Sequence, residues 1–404
     1  MPLALLALAI SAFGIGTTEF VIMGLLPNVA DDLHTSVPTA GNLVSAYALG
    51  VVVGAPLLAV IGVRMARKHL LILLMGIFVA GNLMSALSPT FGWALGGRFV
   101  SGLPHGAFFG AGSVVAARLA PKGREGRAIA TVLLGLTFAN IVGVPAATVL
   151  GQDLGWRATF LVVTGIGVLA IAALALLIPY APVEPQQSLR RELRALRKPQ
   201  VLLGLATAVF GFAGVFALYA YLSSITTQVM GLSESSVMWI LALAGVGMTI
   251  GVAAAGPLTD RAARPTAYAA LGGLAAALVV FYFTAHILWI ALPMVVVLGA
   301  VGFLMTAPLQ TMVIRAASDA PTLSAASNHS AFNLANAGGV WLAGAGIAAG
   351  WGWTSTALVG AALATVGLAI ALTAGRLDHN NSRKPTGPDS QARAEQDRGV
   401  LTEQ

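Results

Sequence analysis

The chain has 404 residues, 57% hydrophobic and only 9% charged, with a formal net charge of +7. A soluble chain carries about 25% charged residues, so the composition puts a soluble enzyme far behind a polytopic membrane protein, whose topology explains the surplus of cations without a nucleic-acid partner. No cysteine is present, which excludes disulfides and thiolate chemistry.

Taken in order, the apolar runs predict twelve spans, at 3–27, 40–62, 69–88, 92–118, 127–150, 157–178, 201–229, 236–258, 266–285, 288–314, 323–350 and 352–374, each near the 20 residues a bilayer requires. The first follows Met1-Pro2 directly, with neither a charged region nor a cleavage site followed by a soluble domain, and reads as a retained helix rather than a signal peptide. It holds one ionisable side chain, Glu19, and with these boundaries no other Asp or Glu lies inside a span. Glu19 precedes Pro27 by eight residues, which puts it ~12 Å below the surface. A charge in hydrocarbon costs roughly 2.5 kcal/mol or more, so such a group faces a cavity or a partner. A helix-end Glu reaching headgroups is the alternative.

The segment 179–200 is Pro-rich and then basic, and Leu189, Leu193 and Leu196 give it one apolar face, as suits a helix lying on the membrane surface. From Gly375 the tail is polar and is expected to be disordered. Twenty of the 22 Lys and Arg fall in the loops and tail of one side, the exceptions being Arg98 and Arg157. Positive loops mark the cytoplasm, so both termini are expected there, in a multi-pass protein of the inner membrane. The chain also repeats at an offset of 197 residues: Gly54, Arg64, Ala66 and Arg67 fall on Gly251, Arg261, Ala263 and Arg264, and Gly155-Trp156 on Gly352-Trp353. The expected architecture is all-α: two pseudo-symmetric six-helix halves, 1–178 and 201–374, joined by the linker 179–200 and followed by the tail 375–404. This duplicated plan is found in secondary transporters, with the site between the halves.

Four stretches carry a family resemblance. Span 1 has Thr18-Glu19-Phe20-Val21-Ile22-Met23-Gly24-Leu25-Leu26-Pro27, and the loop after span 2 has Arg64-Met65-Ala66-Arg67-Lys68. Span 4 has Gly97-Arg98-Phe99-Val100-Ser101-Gly102, and span 5 has Gly135 and then Ala139-Asn140-Ile141-Val142-Gly143-Val144-Pro145. In order and spacing they resemble the major facilitator superfamily over about residues 1–375, within its twelve-helix drug:proton antiporters and the chloramphenicol-resistance and arabinose-efflux-like branch. The resemblance implies the major facilitator fold and alternating access driven by a proton gradient, without a cofactor. It implies a gating role for Arg64 and Arg67, repeated by Asp260, Arg261 and Arg264. Val63 stands where that signature usually has Asp, which shifts the expected cytoplasmic latch to the second copy. Gly135, Gly143 and Pro145 resemble the antiporter signature of span 5, although Val144 separates the last two.

Arg98 and Glu19 lie at similar depth, so a neutralising pair is expected, with Arg98 holding Glu19 ionised until substrate or a conformational change releases it to take up a proton. A static pair is the alternative. His105 is a second candidate proton site or a hydrogen-bonded packing residue. Asn140, Asn333 and Asn336 either line the cavity or join helices. Phe20 is the neighbour of Glu19, and Phe108, Phe216 and Tyr219 belong to aromatic clusters that either stack on a flat substrate or fill the core. The expected function is proton-coupled export of small amphipathic drugs such as chloramphenicol, by a monomer in the lipid bilayer. Efflux of a sugar or other metabolite, and a non-transporting sensor or scaffold, are the alternatives. No metal-ligand pair, ATP loop or nucleophile constellation is present in the sequence, so an enzyme is not expected.

Overall fold

A computed structural model describes residues 3–62, 65–121, 125–180, 198–316 and 321–382. Every element among them is helical, as hydrocarbon demands of a chain that must satisfy its backbone internally. The first half comprises α1 (Leu3–Gly24), α2 (Leu26–Asp32), α3 (Val37–Gly62), α4 (Arg67–Ala86), α5 (Phe91–Gly102), α6 (His105–Leu119), α7 (Glu125–Phe138), a π-helical turn (Ala139–Gly143), α8 (Val144–Leu154) and α9 (Trp156–Leu177). The second comprises α10 (Pro199–Tyr219), α11 (Leu222–Gln228), α12 (Glu234–Thr284), α13 (Leu288–Leu304), α14 (Thr306–Ala316), α15 (Pro321–Ala348) and α16 (Ser355–Ser382).

Ten helical stretches are long and apolar enough to cross a membrane. One of them, α12, holds two predicted spans end to end: its backbone leaves the helical region at Ala262 (φ −160°, ψ 82°), between Pro257 and Pro265. The 28-residue α15, rich in Asn and Ser, supplies the eleventh predicted span. Several spans are broken inside. Pro27 sits in the first turn of α2 and Pro104 precedes α6, where the missing N–H and fixed φ interrupt the helix ladder. The last helix runs through Gly375 to Ser382, beyond the expected tail boundary at 375, because no helix breaker follows Gly375 before Pro385. The surface helix expected around Leu189–Leu196 and the tail beyond Ser382 lie outside the described residues.

The repeat is built into the packing. A Cβ on Gly50 would meet the Phe99 carbonyl oxygen at 2.1 Å, and one on Gly247 would meet that of Val296 at 2.3 Å. The pairs Gly54 with Leu103 and Gly251 with Ala300 repeat this, each with 2.1 Å to the oxygen. In all four, glycine and partner are displaced together by the offset of 197 residues. So α3 crosses α5 and α6 as α12 crosses α13, with small residues letting backbones touch. Gly155 and Gly352 hold matching left-handed conformations (φ 85° and 81°), open to glycine at no steric cost.

One apolar cluster lies wholly within the first half and includes Leu8, Phe78, Phe108 and Leu174. A larger one fills the second half and takes in Phe20, Leu25, Val44 and Trp156 from the first. The halves therefore pack together at the end of the molecule that carries Asp32. Across that seam Ser223 Oγ donates to the Met23 carbonyl (2.9 Å), Ser45 Oγ to that of Ala337 (3.1 Å), and Gln152 Nε2 to that of Glu234 (3.3 Å). Large apolar side chains such as Leu169, Leu176 and Trp289 point outward, toward lipid.

Candidate functional site

Glu19 lies on the buried side of α1 and is only 2% exposed. Its Oε2 is 3.9 Å from His105 Nδ1, at the start of α6. The same nitrogen is 3.0 Å from the Tyr47 hydroxyl on α3. Glu19 Oε1 has no hydrogen-bond partner. A carboxylate, an imidazole and a phenol from three helices thus meet in one buried group.

Arg98 is in the same core but holds a different grip. Its Nη1 donates to the Thr18 carbonyl (2.9 Å) and to Thr18 Oγ1 (3.2 Å), and its Nε to the Leu43 carbonyl (3.3 Å). Its guanidinium carbon lies 4.4 Å above the centre of the Tyr47 ring. Thr18 Oγ1 in turn donates to Asn82 Oδ1. No Arg98–Glu19 contact within 4 Å occurs among the described residues, so the expected neutralising pair is not a direct ion pair, although the two opposite charges still act on each other across the buried core. Adjacent helix positions point about 100° apart, so an arginine bound at Thr18 leaves Glu19 facing His105. Arg98 instead ties α1 and α3 to α5.

Aromatic rings link this group to the second half. Phe20 lies parallel to Phe216 (6.2 Å between centres) and edge-on to Tyr219 (6.0 Å). Phe109 stacks on His329 at 5.9 Å, and the His105 and His329 rings are 6.3 Å apart. Phe108 takes the core-filling alternative rather than the substrate face: it is fully buried in the first half's core, edge-on to Phe109, and Phe109, one position further round α6, reaches the seam. Asn333 and Asn336 are both fully buried, and Asn333 Nδ2 donates to the His329 carbonyl (3.1 Å). Asn333 Oδ1, both polar atoms of Asn336, Asn140 Oδ1 and the Tyr219 hydroxyl have no partner. A buried polar group is normally bonded, and these five atoms are exceptions.

Asn140 lies in the π-helical turn, a form frequent at functional sites. The turn precedes Pro145, which is buried in the first turn of α8 and cannot donate back into the helix. The Asn140 carbonyl oxygen approaches to 2.7 Å from a Cβ on Gly245 of the second half. Gly135 packs on the Ala9 carbonyl and Gly143 on Thr17, so both act as close-packing positions against α1. Among the expected gate residues, Arg67 opens α4 and Arg64 lies outside the described residues. Asp260, Arg261 and Arg264 flank the kink at Ala262 and line a cavity of about 640 Å³ with Lys198. No group of three or more metal-ligating side chains occurs among the described residues.

Tyr47, Thr18, Asn82 and His329 surround Glu19 and Arg98 without standing out in the sequence as site residues. Their one signal is a hydroxyl, amide or imidazole inside an apolar span. His329 sits in the same stretch as Asn333 and Asn336.

The Major Facilitator Superfamily profile matches residues 8–340. The inner membrane transport protein YdhP of Escherichia coli (strain K12) is 44% identical over 92% of this chain and 96% of its own length. A chloramphenicol resistance protein of Streptomyces lividans is 34% identical over 90% of this chain and 95% of its own. The crystal structure of a D-xylose-proton symporter superposes with a TM-score of 0.75 at 16% identity, covering 92% of this chain and 96% of that one. With its duplicated helices, a profile match over residues 8–340 and relatives aligned over nine-tenths of their length, the chain belongs to the major facilitator superfamily of membrane transporters.

Proposed function

We propose that the protein is a proton-coupled exporter of small amphipathic drugs such as chloramphenicol, working by alternating access. The observation that carries this reading is Glu19, a buried carboxylate 3.9 Å from His105, whose ring neighbours His329 of the other half. An intramembrane acid is kept for function, and an acid beside a seam that must open and close is placed to make that motion depend on a proton. The apolar faces of Phe20, Phe216 and Phe109 suit a flat amphipathic molecule. The Streptomyces lividans relative's name supports the drug class. YdhP's name supports the inner membrane, and the one-sided distribution of Lys and Arg supports cytoplasmic termini, which makes the Asp32 end the outer one. In this reading Glu19 and His105 carry the proton, Arg98 positions α1 around Glu19, and Asp260, Arg261 and Arg264 form the cytoplasmic latch. The protein acts as a monomer, without a cofactor.

A second reading, export of a sugar or similar metabolite, is favoured by the unpartnered polar atoms of Asn140, Tyr219, Asn333 and Asn336, which suit a hydroxylated substrate. One experiment separates the two. Protein in liposomes with a trapped pH-sensitive dye is given a pH gradient, then chloramphenicol or a pentose. Chloramphenicol-driven proton flux in wild type, reduced at least tenfold in Glu19→Gln, is the expected result. Pentose-driven flux selects the second reading, and equal flux in wild type and Glu19→Gln removes Glu19 from coupling.

A further inference from the structure

We infer that the cleft between the halves at the Asp32 end is a second ligand site, which takes a small hydroxylated organic cation. The cleft encloses about 270 Å³, below the range of roughly 300–1,000 Å³ typical of drug-sized ligands, so its occupant is smaller than the drugs proposed above. Asn28 and Asp31 come from the first half, and Ser224, Thr227, Gln228 and Glu234 from the second. The contacts of Phe20 with Phe216 and Tyr219 lie along the helices between Glu19 and this cleft, so the two places are distinct.

Three observations point to the ligand. The cleft is lined by two carboxylates and no Lys or Arg. Neither Asp31 nor Glu234 takes part in an ion pair among the described residues, whereas the neighbouring Asp32 is held by Arg157 and Trp156. A positive charge is therefore the missing complement. Second, Ser224, only 2% exposed, lines the cleft, and its hydroxyl has no hydrogen-bond partner. An unmet buried hydroxyl costs about 1–3 kcal/mol, and a ligand hydroxyl or ammonium meets it. Third, the mouth is exposed, at Asp31, Gln228 and Glu234, while the floor at Gly24 and Ser224 is buried, so a solute enters from the aqueous side with its charge outward and a hydroxyl inward.

Because both halves line the cleft, the full set of contacts exists only while they meet at this end. A ligand binding that arrangement preferentially shifts the population toward it. The inference does not rest on the proton-coupling reading, since it concerns binding alone.

The test is titration calorimetry on the full-length protein in detergent with three probes of one ring shape: glucosamine as cation, glucose as neutral analogue and glucuronate as anion. Saturable glucosamine binding is expected, with glucose at least tenfold weaker and glucuronate without binding. Asp31→Asn combined with Glu234→Gln, both exposed positions, should weaken glucosamine at least tenfold and bring it to the level of glucose. Glu19→Gln should leave it within twofold. The absence of native cysteine permits a second readout: glucosamine should slow maleimide labelling of a Thr227→Cys variant at least fivefold, and glucose should not. No saturable glucosamine binding, or equal binding of glucosamine and glucose, overturns the inference. So does binding that survives the Asp31/Glu234 double variant and is lost in Glu19→Gln, which would assign the cation to the inner carboxylate.

Discussion

Arg98 carries a full charge in a nearly water-free position, 1% exposed, with Nε and Nη1 bonded to two carbonyls and a hydroxyl and Nη2 without a partner. Hydrogen bonds to a charged group contribute about 1.5–3 kcal/mol each, and the Tyr47 ring adds a cation–π contact, so the arginine is accommodated without a carboxylate at contact distance. Asp32 shows the other arrangement, at the aqueous edge. Burial pushes its carboxyl up, but the hydrogen bonds from Trp156 and Arg157 and the charge of Arg157 outweigh that and leave it below the usual carboxylate range. A carboxyl held low in the folded state contributes stability that is present above its unfolded value, near pH 4, and lost as pH falls through its folded value. The pair is partly exposed, at 34% and 44%, so its worth is discounted to about 0.5–1 kcal/mol. Asp32→Asn is therefore expected to lower the thermal midpoint slightly at pH 7, with the gap closing as the pH is taken well below 4. A gap that stays constant down to pH 2 would mean the charge contributes nothing. At this scale the sequence made Glu19 and Arg98 legible as buried charges, because an ionisable group in an apolar run is conspicuous. Their partners were not legible: depth along a helix says nothing of azimuth, and one step around α1 separates Thr18 from Glu19.

Helix contacts in lipid depend on how closely backbones approach, since apolar side chains gain little by leaving lipid for protein. That makes particular glycines the determinants of element packing. Ala at Gly54 would place its Cβ 2.1 Å from the Leu103 oxygen, and Ala at Gly251 the same distance from that of Ala300. Both obstacles are backbone, so one helix must move. Gly76 and Gly110 have nothing within 4 Å, and there the better helix propensity of Ala is free to act. Gly54→Ala and Gly251→Ala are each expected to destabilise by about 1–3 kcal/mol, the usual scale of overpacking, and Gly76→Ala and Gly110→Ala to be neutral or stabilising. Thermal unfolding of the four purified variants checks this, and equal midpoints for all four would contradict the close-packing role. The spans themselves were readable from apolar run length, and Pro27 and Pro104 mark two of the breaks. The π-helical turn at Ala139–Gly143 had only Pro145 as a sign, whereas the break inside α12 at Ala262 falls in the gap expected between the spans 236–258 and 266–285, bracketed by Pro257 and Pro265.

At the scale of the molecule, the offset of 197 residues was visible in Gly54, Arg64, Ala66 and Arg67 and in Gly155-Trp156, since a duplicated chain retains its turn glycines and its charged loops. How the two copies meet left no such trace: the hydrogen bonds across the seam run to backbone carbonyls, those of Met23, Ala337 and Glu234, whose positions no side-chain pattern reveals. Alternating access requires these bonds to break and re-form in each cycle, because a transporter sealed permanently at one end cannot release its cargo there. The Ser45 hydroxyl sits 3.1 Å from the Ala337 carbonyl, and the chain has no cysteine to interfere. A Ser45→Cys, Ala337→Cys double variant treated with a short bis-methanethiosulfonate reagent should therefore become cross-linked within one molecule and lose transport at least tenfold, recovering on reduction. Either single variant, given the same reagent, should retain most of its transport. A cross-linked molecule that transports at the wild-type rate would show that α3 and α15 stay together throughout the cycle, and the motion would then have to lie at the seam of α1 with α11 and of the π-helical turn with α12.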